Sequence, residues 1–306
     1  MKNSEIKRLV LAFIFSLGIF TVNAQGIVVC KKDGSKIRVS YEQLDSIATY
    51  DYSDGQGDVL DGENRVFTVN GVSFTMVPVK AGTFTMGATA EQQDPFGDEK
   101  PTHQVTLTND YYMGETEVTQ ALWHAVTGYS PTVSGSSWSS NYGKGDNYPA
   151  YYISYEDVLS FLSKLNSLTG ENFRMPTEAE WEYAARGGNK SKGYQYSGSN
   201  TVDEVAWHKD NSNSMIHVVK TKLPNELGLY DMSGNVWEWC SDWYGSYSSS
   251  SQTDPVGASS GSLRVLRGGC WSGSSTGCRV ACRNDCTPSG RYAYLGFRLA
   301  LSYSKK

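Results

Sequence analysis

The chain opens with a basic start (Lys2, Lys7, Arg8) and an unbroken low-polarity run from Leu9 to Val22. At about 14 residues this run is short of the ~20 that a bilayer-spanning helix needs. Val22 and Ala24, β-branched and small, stand at the two positions a signal peptidase reads. The pattern predicts a secretory signal peptide over 1–24, cleaved after Ala24, and a secreted or periplasmic mature protein. Lipid anchoring does not fit: Cys30 follows Val29, where a lipobox needs a small residue, and lies past the apolar run. No second long apolar stretch follows, so no membrane span is expected.

Beyond the leader, residues 25–49 read as a small β-hairpin module. Gly26 to Cys30 forms one strand, Asp33-Gly34 the turn, and the alternation from Lys36 to Ser40 a half-exposed return strand. Such a unit is too short to be stable alone, and is expected to pair with a partner or dock on the main domain. Residues 50–64 are acidic, Gly-rich and without apolar periodicity, and read as a linker. A main domain over 65–303 begins with a hairpin, Val66–Val69 and Val72–Thr75 about Asn70-Gly71. Two helices stand out. One follows Ser154, with Asp157 three residues on and apolar positions at Val158, Phe161, Leu162 and Leu165; the other runs from Pro176 to Arg186, with a Thr177/Glu180 capping box and a Gly187-Gly188 stop. A shorter helix is expected over Thr119–Val126. Residues 128–149 and 244–262 read as Gly/Ser/Asn loops.

Composition narrows the function classes. The chain is 39% hydrophobic and 12% aromatic, which excludes disorder, and 19% charged, too little for a coiled coil. A net charge of −5 and a pI near 5.5 argue against nucleic-acid binding. The 31 glycines, 8 Trp and 20 Tyr point to a loop-rich fold packed by large aromatics. Six cysteines in an exported chain suggest disulfides. Cys278, Cys282 and Cys286 are spaced by four in a loop-like context and are expected to pair, with Cys240 a bridge or a buried thiol.

An ordered set of segments resembles the formylglycine-generating enzyme (sulfatase-modifying factor) family over roughly residues 66–303. It comprises Met76 to Val79 with Gly82 to Gly87, Glu115 to Thr119, Arg174 to Glu182, Pro224-Asn225, Gly228 to Trp239, Arg267 to Gly269 and Gly296 to Arg298. The resemblance implies an α+β, C-type-lectin-like fold with much irregular loop, beside the small N-terminal β module.

It also implies sites. Family enzymes hold calcium beside the Gly228–Trp239 stretch. By motif position the ligands are the side chains of Asp231 and Glu238 and the carbonyls of Gly234 and Val236, a chemically sensible set because calcium takes many oxygens. A second family calcium site does not map onto Val205 to Trp207. Family oxidases convert a cysteine in a C-x-P-x-R sulfatase segment to formylglycine with O₂ and a copper(I) held by two thiolates, which as soft ligands select that ion. The two thiols follow a serine by three and eight residues. Here the serine position is Cys270, the first thiol position is Gly273, and the second is Cys278. The pair is therefore incomplete, with Cys270 as a possible substitute.

Two function classes follow: an exported oxidase acting on a protein substrate such as a sulfatase, or a non-catalytic, calcium-supported binding module for a protein or glycan ligand, with Gly273–Gly277 as its recognition loop. The histidines His103, His124, His208 and His217 show no metal-ligand spacing and are expected to be structural. Arg267, Arg279, Arg283 and Arg298 are expected to satisfy buried loops rather than substrate, and Trp237, Trp239, Trp243 and Trp271 to be core.

Overall fold

The structure is a computed structural model that describes residues 19–23, 26–30, 36–39, 63–135 and 137–303, the first three segments as backbone only. The chain divides into an N-terminal unit and a main unit, Val59–Lys305. In the N-terminal unit Gly26–Cys30 and Lys36–Val39 pair antiparallel, Ile27 opposite Val39, as the alternation predicts. Ile19–Asn23, inside the expected leader, pairs with Gly26–Cys30 as a third strand. The proposed cleavage position and nearly all of the 50–64 linker lie outside the described residues.

The main unit is α+β. Its five-stranded sheet runs in the order Arg65–Val69, Val72–Val79, Tyr111–Gly114, Ala300–Ser302, Phe173–Arg174. The opening hairpin forms at Asn70-Gly71 because both residues take positive φ (48° and 83°), the twist a two-residue turn needs. The three expected helices are present as Gln120–Thr127, Tyr155–Thr169 and Glu178–Ala185. Ser154/Asp157 and Thr177/Glu180 each close a reciprocal capping box, worth about 1 kcal/mol of helix stability apiece. The last helix starts after Thr177 rather than at Pro176, since Thr177 is the extended cap.

Val158, Phe161, Leu162 and Leu165 form one buried face of the Tyr155–Thr169 helix. Phe161 stacks on Trp123 at 5.2 Å and meets Phe297 edge-on, so the Gln120–Thr127 and Tyr155–Thr169 helices pack together against the segment just after the Leu295–Gly296 strand. A second sheet, in the order Arg283–Cys286, Arg264–Arg267, Trp237–Trp243, Leu295–Gly296, carries most of the candidate site residues at its strand ends. Trp239 is wholly buried and Trp237 and Trp271 nearly so, while Trp243 is half-buried beneath Arg264. These indoles are packing residues, as expected.

The expected disulfides are absent. Cys240, Cys270, Cys278, Cys282 and Cys286 are all free thiols; Cys30 has no described side chain. Position keeps Cys240 from the others, whereas Cys270, Cys278 and Cys282 lie near one another and are free nonetheless. Cys240 lies in mid-strand within one core cluster, Cys278 in a small separate cluster with Tyr196, and Cys282 in the largest one. The spacing of four makes no stripe, because Cys278 ends a 3₁₀ turn while Cys286 ends a strand.

Candidate functional site: a thiol loop and an acidic corner

The Arg264–Arg267 strand ends in Gly268 and Gly269, whose φ values of 101° and 79° turn the chain sharply inward. Gly269 cannot carry a side chain here: a Cβ would lie 2.9 Å from Cys278 Sγ and 2.7 Å from the Gly277 carbonyl. The returning loop thus packs Cys278 directly on the turn. Cys270 follows, buried, with Sγ 3.4 Å from Ser272 Oγ. At Gly273 a Cβ would stand 3.5 Å from Cys270 Sγ, an ordinary contact. Gly273 accepts the Lys209 N–H at its carbonyl, and Ser212 donates to the Trp271 carbonyl, so the loop is fastened to residues 208–212.

Burial pushes the Cys278 thiol well above the ordinary range, and the charges of Cys270 and Cys282 add to this. Burial likewise raises Cys270, and lifts Cys282 to about 12 with help from Glu99. Three thiols therefore share one neighbourhood, and all are protonated at neutral pH. A soft cation could bind there only by displacing protons, which two thiolates do for copper(I).

The calcium ligands expected from the motif fall into two kinds. Asp231, at φ 57° on its turn, accepts the Lys220 N–H at Oδ2, 2.8 Å, while its buried Oδ1 has no partner. Glu238 is spent differently. Arg298 grips it with Nε–Oε2 at 2.6 Å and Nη2–Oε1 at 2.7 Å, and Trp181 donates to Oε2 at 2.7 Å. Beside them lies a residue that motif position does not assign: Glu117, 1% exposed, with neither carboxylate oxygen hydrogen-bonded. Burial raises its carboxyl strongly, and the charges of Asp231 and Glu238 raise it further. Burial also lifts Asp231 to about 6. Unpaired oxygens on two buried acids are the donor set a hard divalent cation takes, so the residues fit calcium. No three His, Cys, Asp or Glu side chains group at metal-holding distances among the described residues, so carbonyls and water would complete the shell. Gly234 sits tight against the Trp207 backbone, which admits no side chain at that point of the turn.

The four arginines meet carboxylates inside the fold, as expected. Arg279 pairs with Glu99 through two bonds of 2.6 and 2.5 Å, Arg283 with Glu178 at 2.5 and 2.8 Å, Arg267 with Glu182 at 2.5 Å, and Arg298 with Glu238. Burial would raise the Glu178 carboxyl, but Arg283 and Arg267 outweigh it and hold it below its ordinary value. Three of the four histidines pack within the fold, and His124 is exposed on its helix. His208 Nε2 is 2.9 Å from Asp203, His217 stacks on Trp207 at 3.6 Å, and His103 packs edge-on against Tyr247.

A cavity of about 590 Å³ lies elsewhere, between the 245–258 loop, His103, Tyr247 and Asp242. Asp242 receives the Glu178 N–H and the Ser241 hydroxyl at Oδ2, both at 3.0 Å. Burial and the charge of Glu178 lift its carboxyl to about 7. The sequence signals neither Asp242 nor Glu117, since each reads there as an ordinary loop or helix-entry acid.

Comparison with known proteins supports the reading of the sequence. The sulfatase-modifying factor enzyme 1-like domain is matched over residues 66–303. A formylglycine-generating enzyme of Streptomyces coelicolor is 30% identical, over 73% of this chain and 88% of that protein. Among solved structures, Treponema denticola variable protein 1 superposes with a TM-score of 0.69 at 34% identity, over 78% of this chain and 99% of that one. PvdO from Pseudomonas aeruginosa superposes at 0.62 and 28% identity, over 75% and 94%.

Proposed function

The chain belongs to the sulfatase-modifying factor enzyme 1-like family, and on that premise we propose that it is an exported member whose oxidase thiol pair is carried by Cys270 and Cys278. The observation that carries this reading is the place of Cys270. The family's first thiol would grow from residue 273, where a Cβ would lie 3.5 Å from Cys270 Sγ. The thiol lacking at Gly273 is thus offered, within a few bond lengths, from three residues earlier. Cys278, whose ionisation Cys270 opposes, packs on the Gly269 turn of the same loop.

Two thiolates would hold copper(I) and leave a position for a substrate sulfur. When bound, the metal supplies the O₂-dependent oxidation of a cysteine in a C-x-P-x-R sulfatase-type segment. The chain's part is to yield two thiol protons, fix Cys278 against the Gly269 turn, and fasten the loop to residues 208–212. Export is supported by the basic start, the short apolar run and Ala24; no helix among the described residues is long and apolar enough to cross a membrane. Calcium at Asp231, with the Gly234 and Val236 carbonyls, would brace the scaffold in a C-type-lectin-like frame.

A second reading is favoured by the complete burial of Cys278 and the 3% exposure of Cys270. In it the domain is a non-catalytic module that binds a protein or glycan through the Gly273–Gly277 loop. One experiment separates the two. The mature protein is loaded with copper(I), given a C-x-P-x-R peptide under O₂, and the peptide is weighed. The oxidase removes about 18 Da as thiol becomes aldehyde, and Cys270→Ser and Cys278→Ser each abolish the loss. An unaltered peptide mass, with no copper retained on the protein, leaves the binding module.

A further inference from the structure

The cavity of about 590 Å³ beside the 245–258 loop is built by the fold, because the loop over it is pinned along its length. Gln252 and Thr253 pair with Val105 and Thr106 of the His103–Leu107 strand. Asp254 accepts the Thr108 N–H at 2.8 Å and the Thr108 hydroxyl at 2.5 Å. Arg283 donates from Nη1 to the Gly245 carbonyl at 3.0 Å, and Trp243 bridges to Ala258. Most charged groups on the wall are committed. Glu178 is held by Arg283 and Arg267, Arg283 by Glu178, and Asp254 by Thr108. Asp242 is the exception. It is 2% exposed and forms no ion pair among the described residues. Its two hydrogen bonds, from the Glu178 N–H and the Ser241 hydroxyl, both fall on Oδ2, and Oδ1 accepts none. Gly257, at φ 77°, lies against this carboxyl, where a Cβ would stand 3.0 Å from Oδ1 and 2.6 Å from the Asp242 Cβ. A side chain at 257 would crowd Oδ1, and glycine leaves it open. His103 adds a second acceptor. Its Nδ1 is 3.3 Å from the Pro101 carbonyl, which only accepts, so Nδ1 holds the proton and Nε2 is left to accept.

We infer that this cavity binds an aliphatic primary ammonium, with Asp242 as its counter-ion, His103 Nε2 as a second acceptor and Pro255 and Val256 against its carbon stem. The open groups of the wall accept, and an ammonium carries three donors and no acceptor. Glu178, Asp242 and Asp254 stand there against Arg283, three acids to one base, so a cation is drawn in and an anion repelled. A buried carboxylate without a counter-charge is costly, and the ammonium supplies one. Among the described residues no three His, Cys, Asp or Glu side chains group at metal-holding distances, so an organic cation suits the cavity better than a metal ion. Its volume is that of a small-molecule site. The distribution of polarity gives the orientation. Asp242 is 2% exposed and Val256 70%, so the carboxyl lies deep and the apolar side reaches the rim. A charged head would enter first, with the stem along Pro255 and Val256. A free diamine and the lysine side chain of a protein partner share this chemistry. The inference stands apart from the thiol loop and from both readings of the function.

The test is isothermal titration calorimetry of the full mature protein at pH 8 with three probes: 1,5-diaminopentane, Nα-acetyl-lysine N-methylamide and the uncharged 1-pentanol. The expected result is binding of at least one amine and none of the alcohol. Binding of the diamine alone identifies a free amine as the ligand, and binding of the lysine amide identifies a lysine side chain. Asp242→Asn keeps an oxygen for the Glu178 N–H and removes the charge, and should weaken the amine at least about tenfold. Val256→Lys, at an exposed rim position that the fold tolerates, sets a competing ammonium at the cavity mouth and should weaken it as well. Both variants are checked for a wild-type-like circular dichroism spectrum, and Val256→Lys decides alone if Asp242→Asn does not fold. The inference is overturned if neither amine binds at millimolar concentration, if 1-pentanol binds as well as the amines, or if amine affinity is unchanged in the folded variants.

Discussion

Glu178, Glu182 and Glu99 are buried as deeply as Glu117 and Asp231, yet guanidinium groups grip the first three and none grips the last two. Around the Glu178–Ala185 helix, Arg267, Arg283 and Arg186 meet the carboxylates at 2.5–2.9 Å, and main-chain donors such as the Gly87 N–H fill remaining lone pairs. At the acidic corner one arginine faces three acids. The first region is internally complete, so its ions hold irregular loops in place. The second leaves the Glu117 oxygens and Asp231 Oδ1 without a hydrogen-bond partner. Burial of charge by itself therefore does not mark a site; unmatched burial does.

Breaking the matched region should have the largest effect. Arg267→Ala leaves Glu182 and part of Glu178 buried without a counter-charge, and should lower unfolding free energy by about 3–5 kcal/mol in denaturant titrations. Replacing Arg279 and Glu99 together with methionine should cost far less than either single change. Equal costs would show that these pairs do more than neutralise each other.

Asp242 sharpens the comparison from within the matched region, because it lacks an arginine of its own. Its folded pKa of about 7 exceeds the ordinary carboxylate value, so the folded state binds its proton more tightly than the unfolded state does. Its contribution is full at pH below the ordinary value and is lost as pH rises through about 7. Asp242→Asn should flatten the fall in melting temperature between pH 5 and 8, and stabilise the protein at pH 8 by about 2–4 kcal/mol. A pH profile parallel to that of the wild type would break this account.

At the acidic corner the sign reverses. Glu117→Gln in chelator should stabilise the fold by about 1–3 kcal/mol, since an amide is cheaper to bury than an unpaired carboxylate. A loss of stability would mean that Glu117 has a protein partner after all. The smallest change is expected at the thiol loop. Gly273→Cys meets only an ordinary contact, so stability should shift by less than about 0.5 kcal/mol. Copper(I) retention, measured by metal analysis after gel filtration, should persist in Cys270→Ser only when Gly273→Cys is added.

Much of the fold was legible in the chain. Ser154, Thr177 and Thr119 cap the helices they precede, and Asn70-Gly71 turns the first hairpin, because capping and turn chemistry act within a few residues. The disulfide expectation failed for the opposite reason. Cysteine count and compartment permit bridges, but pairing requires the thiols to meet, and the fold lodges Cys240 and Cys278 in separate clusters. The site was half legible. Motif order placed Asp231, Gly273 and Cys278, whereas Glu117 and Asp242 carry no local signal. Their character comes from residues more than 60 positions away, Asp231 and Glu238 for one and Glu178 for the other.

The sequence alone determined the family, the presence of the three helices and of the first hairpin, and the gap at Gly273, since these rest on local chemistry and ordered motifs. The tertiary structure decided which buried charges are neutralised, that Cys270 stands beside the empty place at 273, and that Glu117 reaches the Asp231 turn. Those properties depend on burial and on distances between remote segments, and both exist only once the chain has closed on itself.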